Sequence, residues 1–239
     1  NKLADRSFES CARCIQSSRI AKHCIVAVGI KTYLTVPTWK PLVEGHCLIV
    51  PAMHYPCLVS LDEDVYDEMK IWRKGLVAMW NDQNMDCVFI EMAKNVKQRQ
   101  HMVIECIPLP SEVGDTAPIY FKKAIDECER EWSDNKKLID LSKKNGDIRR
   151  AIPKGFSYFS IDFGLQPGYA HVIEDESRFP QYFAYETIGG MLDLLPNVWR
   201  KKEAVGTEAQ MGYAKHLKKL WGPYDWTEKV KSSIAEERK

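Results

Sequence analysis

Two cysteines separated by two residues, Cys11-Ala-Arg-Cys14, are the first place in this chain where side chains could do chemistry together. That gap lets both thiolates reach one ion from a tight turn, at roughly 2.3 Å for zinc. The same pair could also be two unligated thiols, or a redox couple, although no thioredoxin-like βαβ pattern surrounds it. A metal would need two more ligands, and the chain has six histidines to offer. His54 and His101 stand at the ends of expected strands, where side chains can converge at the rim of a sheet; His23 competes because it is close in sequence. A second group with chemical potential is the run Arg149, Arg150, Lys154, Phe156 and Tyr158, which pairs basic with aromatic side chains. It reads either as a strip for nucleic-acid phosphates and bases or as ordinary solvated surface.

The elements that must position these residues follow from periodicity. Strands are predicted at Cys24–Val28, Thr32–Val36 and His46–Val50, with Pro37, Pro41 and Gly45 marking the loop between the last two. Leu61, Val65, Met69, Trp72, Leu76 and Trp80 recur at three- and four-residue intervals, one apolar stripe of a helix capped at Ser60 and ending near Asn81. Asp62, Glu63 and Asp64 fall in its first turn, where the dipole favours them. Strands follow at Cys87–Met92 and His101–Ile107. After Pro110 the composition shifts. A helix opened by Thr116 and Pro118 carries Phe121, Ile125, Cys128 and Trp132 on one side, and a charged loop covers 142–155. Short strands are expected at 156–163 and 169–174, then helices at 187–195 and 203–221. The expected class is α+β, with one domain over 1–110 and a smaller module over 111–239 packed on it.

The 239 residues suffice to bury one large or two small cores. Hydrophobic residues at 45% and charged residues at 28% are ordinary globular composition, and no apolar run is long enough to span a bilayer. The net charge of +1 neither requires nor forbids a nucleic-acid partner. Eight cysteines without a secreted-domain spacing point to a reducing compartment. The chain begins at Asn1 rather than Met and reads as part of a longer protein.

Gly45-His-Cys-Leu-Ile-Val-Pro-Ala-Met-His54, followed by a helix, two strands and His101, resembles the histidine-triad superfamily over about residues 8 to 110. The zinc-carrying members of that superfamily imply a ligand set of Cys11, Cys14, His54 and His101. Active members carry His-x-His-x-His or Gln, and the middle histidine attacks phosphorus. Here the register is His101, Val103, Glu105. Val103 has no lone pair, and Glu105 would repel a phosphate. Cys106, one residue on, points to the other face of a strand, where a buried inert thiol is expected. The resemblance therefore implies a degenerate triad with no catalytic residue, rather than an enzyme.

Longer motifs sharpen the assignment. Glu105-Cys-Ile-Pro-Leu-Pro110, Pro118-Ile-Tyr-Phe-Lys-Lys-Ala124, Tyr158-Phe-Ser-Ile-Asp-Phe-Gly164, His171-Val-Ile-Glu-Asp175 and Gly189-Gly-Met-Leu-Asp193 resemble the C-terminal region of CwfJ-type (Cwf-nineteen-like) splicing factors, in the longer paralogue branch. That resemblance implies a nuclear protein of the late spliceosome, bound to spliceosomal proteins and intron-lariat RNA and acting in lariat disassembly. Its alternative is a nucleotide-phosphate hydrolase or transferase acting on branched or adenylylated RNA. His171, mid-strand, is expected to be a core histidine.

Overall fold

A computed structural model describes residues 9–128 and 138–237. Its centre is one eight-stranded antiparallel sheet in the order β1-β2-β3-β5-β4-β7-β8-β6. The strands are β1 (Ile25–Val28), β2 (Thr32–Thr35), β3 (Cys47–Pro51), β4 (Met85–Ala93), β5 (Ile104–Pro110), β6 (Ile139–Asp140), β7 (Tyr158–Phe163) and β8 (Gln166–Val172). The helices are α1 (Glu63–Asp82), α2 (Ser111–Glu127), α3 (Phe183–Met191), α4 (Pro196–Trp199), α5 (Thr207–Trp221) and α6 (Thr227–Glu237). The strands beyond Pro110 continue the sheet of the first half, because β7 pairs with β4 over Val88–Ala93.

Both faces of the sheet are covered. On one face, Leu34, Ile49, Cys87, Phe89 and Cys106 meet Val65, Met69, Trp72 and Leu76 of α1 and Leu217 and Trp221 of α5. On the other, Val88, Ile90, Ile107, Phe159 and Ile161 meet Phe121 and Ile125 of α2 and Phe183 and Ile188 of α3. Alternation along β4 sends Cys87 and Phe89 to the first face and Val88 and Ile90 to the second. A strand buried on both sides has no polar face to show, which is why β4 and β5 are mostly apolar, their buried acids Glu91 and Glu105 being hydrogen-bonded inside the protein.

The helical stripe from Val65 to Trp80 is buried as its spacing requires, with Asp62 rather than Ser60 at the N-cap position. Several expectations change. The strand placed at His101 begins at Ile104, so His101 and Val103 lie in the segment leading into it. The helix placed at Thr116 begins at Ser111 and takes Pro118 into its interior, above Gly114. The helix placed at 187–195 runs instead over Phe183–Met191, and the short β6, the one-turn α4 and the last helix α6 had no counterpart in the periodicity. Trp132 lies outside the described residues.

One buried acid sets a pH dependence. Glu91 of β4 is 3% exposed and accepts from the Leu58 N–H at 2.9 Å and from the Tyr158 hydroxyl. Burial raises its carboxyl to about 7, against the two donors that pull it down. The folded protein then binds more protons here than the unfolded chain between about pH 4.5 and pH 7. The Glu91 contribution to stability therefore falls as pH rises through that window, by about 3 kcal/mol in all. Urea unfolding of wild type and Glu91→Gln across pH 4–8 isolates it, because the other titrating groups, His101 among them, cancel in the difference: the stability of wild type relative to Glu91→Gln should decline as pH rises. A difference that stays constant or grows through the window would contradict this reading.

Candidate metal centre

The turn carrying Cys11 and Cys14 is fastened to the end of β3 by the Ile15 N–H, which donates to the Ala52 carbonyl at 3.0 Å. His54 comes three residues after the end of β3, and His101 stands three residues before β5. The Met102 N–H donates to the Tyr55 carbonyl at 2.8 Å and ties those two stretches together. The four donor atoms thereby meet: all lie within 4.8 Å of one another. Cys11 Sγ and Cys14 Sγ are each 3.5 Å from His101 Nδ1, and Cys14 Sγ is 3.5 Å from His54 Nδ1. A tetrahedral ion with bonds of about 2.3 Å to sulfur and 2.0 Å to nitrogen would separate those atoms by roughly 3.6 Å.

The outer contacts orient the rings for the same purpose. His101 Nε2 donates to the Pro51 carbonyl at 2.8 Å, and His54 Nε2 donates to the Arg99 carbonyl. Both imidazoles thus carry their proton on Nε2, given to a backbone carbonyl, and turn a bare Nδ1 inward, as metal-ligating histidines do. Arg99 adopts a left-handed conformation, φ +54°, to present that carbonyl. Burial pushes His101 down to about 3, keeping it neutral. Burial and the adjoining Cys11 thiol push Cys14 up to about 12, so its deprotonation requires a cation at the centre. The Arg13 N–H donates to Cys11 Sγ at 3.4 Å. Two soft sulfurs and two imidazole nitrogens in this arrangement fit zinc. His23 is elsewhere: its Nε2 is 2.6 Å from Gln210 Oε1.

Beside this cluster lie the other two triad positions. Val103 is half-buried against the patch of Tyr33, Trp39, Leu48 and Val50. Glu105 is 7% exposed, with His46 Nε2 2.9 Å from Oε1 and the Tyr185 hydroxyl donating to the same oxygen. The Leu42 N–H donates to His46 Nδ1 at 3.2 Å. That nitrogen must carry a lone pair, so His46 is neutral and offers Nε2–H to Glu105. Burial works to raise the Glu105 carboxyl, but the hydrogen bond from His46, the charge of Lys202 and the hydrogen bond from Tyr185 hold it below the usual carboxylate range. Glu105 is thus an ionised acceptor, fully engaged. Cys106 is completely buried with its thiol pushed well up, first by burial. His46, Tyr185, Lys202 and Arg13 have no periodicity that marks them; the only signals were the Gly45-His46 pair before β3 and an arginine between two cysteines.

The basic and aromatic run divides. Arg149 is engaged: its guanidinium is 2.5 Å from Glu63 and 3.0 Å from Asp147, over the Tyr66 ring at 3.8 Å. Tyr158 is fully buried, its hydroxyl on Glu91, so in the folded chain it cannot stack a base; alternation along β7 turns it into the core. Arg150, Lys154 and Phe156 are exposed. His171 is 1% exposed and stacks on Phe179 with ring centroids 5.5 Å apart, a core histidine. Among the described residues, no helix is long and apolar enough to cross a membrane.

Comparison with known proteins adds kinship to this geometry. Residues 1–122 match the family described as "Protein similar to CwfJ C-terminal", and residues 131–227 match "Protein similar to CwfJ C-terminus 2". The CWF19-like protein 2 homolog of Caenorhabditis elegans is 54% identical over 97% of this chain, which spans 50% of that protein. The human CWF19-like protein 2 is 54% identical over 92% of the chain, which spans 24% of it. The pre-mRNA-splicing factor cwf19 of Schizosaccharomyces pombe is 32% identical over 84% of the chain and 33% of its own length. The chain thus covers half or less of the curated relatives it matches. Among solved structures, a histidine triad nucleotide-binding protein from Candida albicans overlaps 53% of this chain and 83% of its own, at 18% identity and a TM-score of 0.32. That overlap is too loose to bear on function.

Proposed function

The chain belongs to the family of proteins similar to the CwfJ C-terminus, and from that premise we propose that it is a zinc-stapled, non-catalytic binding region of a nuclear splicing factor. Kinship with the pre-mRNA-splicing factor cwf19 supports a place in a spliceosome-associated complex. Within it, this region acts as a scaffold that holds spliceosomal proteins and intron-lariat RNA in late splicing or lariat disassembly. Arg150, Lys154 and Phe156 form its exposed basic and aromatic surface.

One observation carries the non-catalytic reading: the residues of the triad register are committed to other work. His101 turns its Nδ1 into the cysteine cluster and gives its Nε2–H to Pro51. Val103 offers only hydrocarbon, and Glu105, ionised, is occupied by the hydrogen bonds from His46 and Tyr185. A phosphorus centre placed here meets no free imidazole. The metal, when bound, contributes fold integrity, since a site closed by four protein ligands keeps no open position for a substrate.

Two measurements on the purified chain test this. Elemental analysis should find zinc near one equivalent. Incubation with adenylylated, capped or branched oligonucleotides should yield no product above the uncatalysed background. Turnover abolished by His101→Ala or Glu105→Gln would replace this proposal with a hydrolase or transferase.

A further inference from the structure

Glu105 is surrounded by more positive charge than it can neutralise. Arg13 is fixed within the Cys11–Cys14 turn, where its carbonyl accepts from the Tyr33 hydroxyl at 2.5 Å. Lys202 is fixed from a different direction. Trp39 pairs with Ala204 as an isolated β-bridge, and the Lys40 N–H donates to the Glu203 carbonyl at 2.8 Å, which lays the 202–204 stretch against the loop after β2. Both cations then approach the Trp39 ring. Lys202 Nζ is 4.0 Å from the Trp39 ring centroid and 5.6 Å from that of Tyr185, and Arg13 Cζ is 5.9 Å from the Trp39 ring. Burial lowers Lys202, while Glu105 raises it and Arg13 lowers it, so the three charges act on one another.

Neither cation is otherwise matched. Among the described residues, no carboxylate lies within 4.0 Å of either head group, and neither side chain donates a hydrogen bond. His46 is neutral by its tautomer, so the local balance is two positive charges against the single negative charge of Glu105. Arg13 is half-buried and Lys202 reaches solvent, which leaves the pair accessible to a ligand. One uncompensated positive charge, offered by a planar fork and an ammonium, suits an oxyanion carrying one negative charge. A phosphodiester has that charge. A phosphomonoester carries nearly two and would add repulsion with Glu105. Trp39 and Tyr185 are 9% and 7% exposed and covered by the cations, so no base can stack on them and the contact would ignore sequence.

We propose that Arg13 and Lys202 together hold one backbone phosphodiester of a nucleic acid, at a site assembled from the metal turn and the segment after α4. This deepens the RNA-binding part of the function proposed above and rests on it. It also gives the metal turn a second consequence, since the ligands that fix Cys11 and Cys14 fix Arg13.

The test is fluorescence anisotropy of labelled oligouridine against the zinc-loaded chain over a series of KCl concentrations. Lys202→Gln and Arg13→Gln should each weaken binding and flatten the dependence of log Kd on log salt by about 0.7, the loss of one phosphate contact to a single strand. Lys202→Arg should keep the wild-type slope. Metal content and melting should match wild type in each; should Arg13→Gln lose its metal, Lys202→Gln alone decides. Wild-type binding with an unchanged slope in Lys202→Gln overturns this site and leaves the RNA-binding proposal standing. A wild-type chain that does not bind oligouridine sinks both. A phosphoserine peptide that binds in a Lys202-dependent way, where oligouridine does not, assigns the site to a different partner and overturns the inference.

Discussion

Cys14→Ser should purify without metal and melt at a temperature roughly 8–16 °C below the wild type. The size follows from linkage: a ligand that binds only the folded state, at a thousandfold its dissociation constant, stabilises it by about 4 kcal/mol. For a chain of this length each kcal/mol moves the midpoint by about 2–4 °C. The loss falls on the folded state because Cys14 is buried at 7% exposure and faces both imidazoles at 3.5 Å. The unfolded chain has no such convergence. Calorimetry with and without a strong chelator checks it. The chelator should bring wild type down to the variant's midpoint and leave Cys14→Ser where it is. Equal midpoints for wild type and variant, both indifferent to chelator, would show that the four side chains meet without an ion.

Trp221→Ala should destabilise the first half of the chain by about 3–5 kcal/mol, although the residue belongs to α5 near the far end. Trp221 is 1% exposed and lies against Trp72 of α1 with ring centroids 5.5 Å apart. Gly75, in the middle of α1, is explained by the same contact: a Cβ there would come within 2.6 Å of the Trp221 ring. A mid-helix glycine costs about 1 kcal/mol relative to alanine, and here it makes the space that the indole fills. Because β7 continues the sheet from β4 and α5 covers the face of α1, the chain should unfold in one transition. Far-ultraviolet circular dichroism and tryptophan fluorescence should report the same midpoint in wild type and in the variant. Two separate transitions, with the earlier half unmoved by Trp221→Ala, would mean that the halves fold apart.

The α1 stripe, the main strands and the Cys11–Cys14 pair were legible because each rests on local spacing. A helix shows its buried face every three or four residues, a strand runs apolar between turn residues, and two thiols that share a turn must be neighbours in the chain. His54 and His101 were legible only through resemblance, since 40 and 87 residues separate them from Cys14, whose sulfur both imidazoles face. Tyr158 was misplaced for a related reason. An aromatic residue beside arginines looks like a stacking platform until β7 is known to sit between β4 and β8, with both its faces covered.

By itself, the order of residues determined which side chains are available: two thiols in one turn, a valine where an attacking nitrogen would be needed, a carboxylate two positions on, and one helix of fixed face. Tertiary structure decided what those groups became. It brought His54 and His101 to the cysteines, gave Glu105 to His46 and Tyr185, and set Arg13 beside Lys202 over one indole ring. The reason is physical. Spacing along a chain encodes periodic burial, whereas coordination and charge balance depend on distances of a few ångströms between segments that only the packed sheet and its loops bring together.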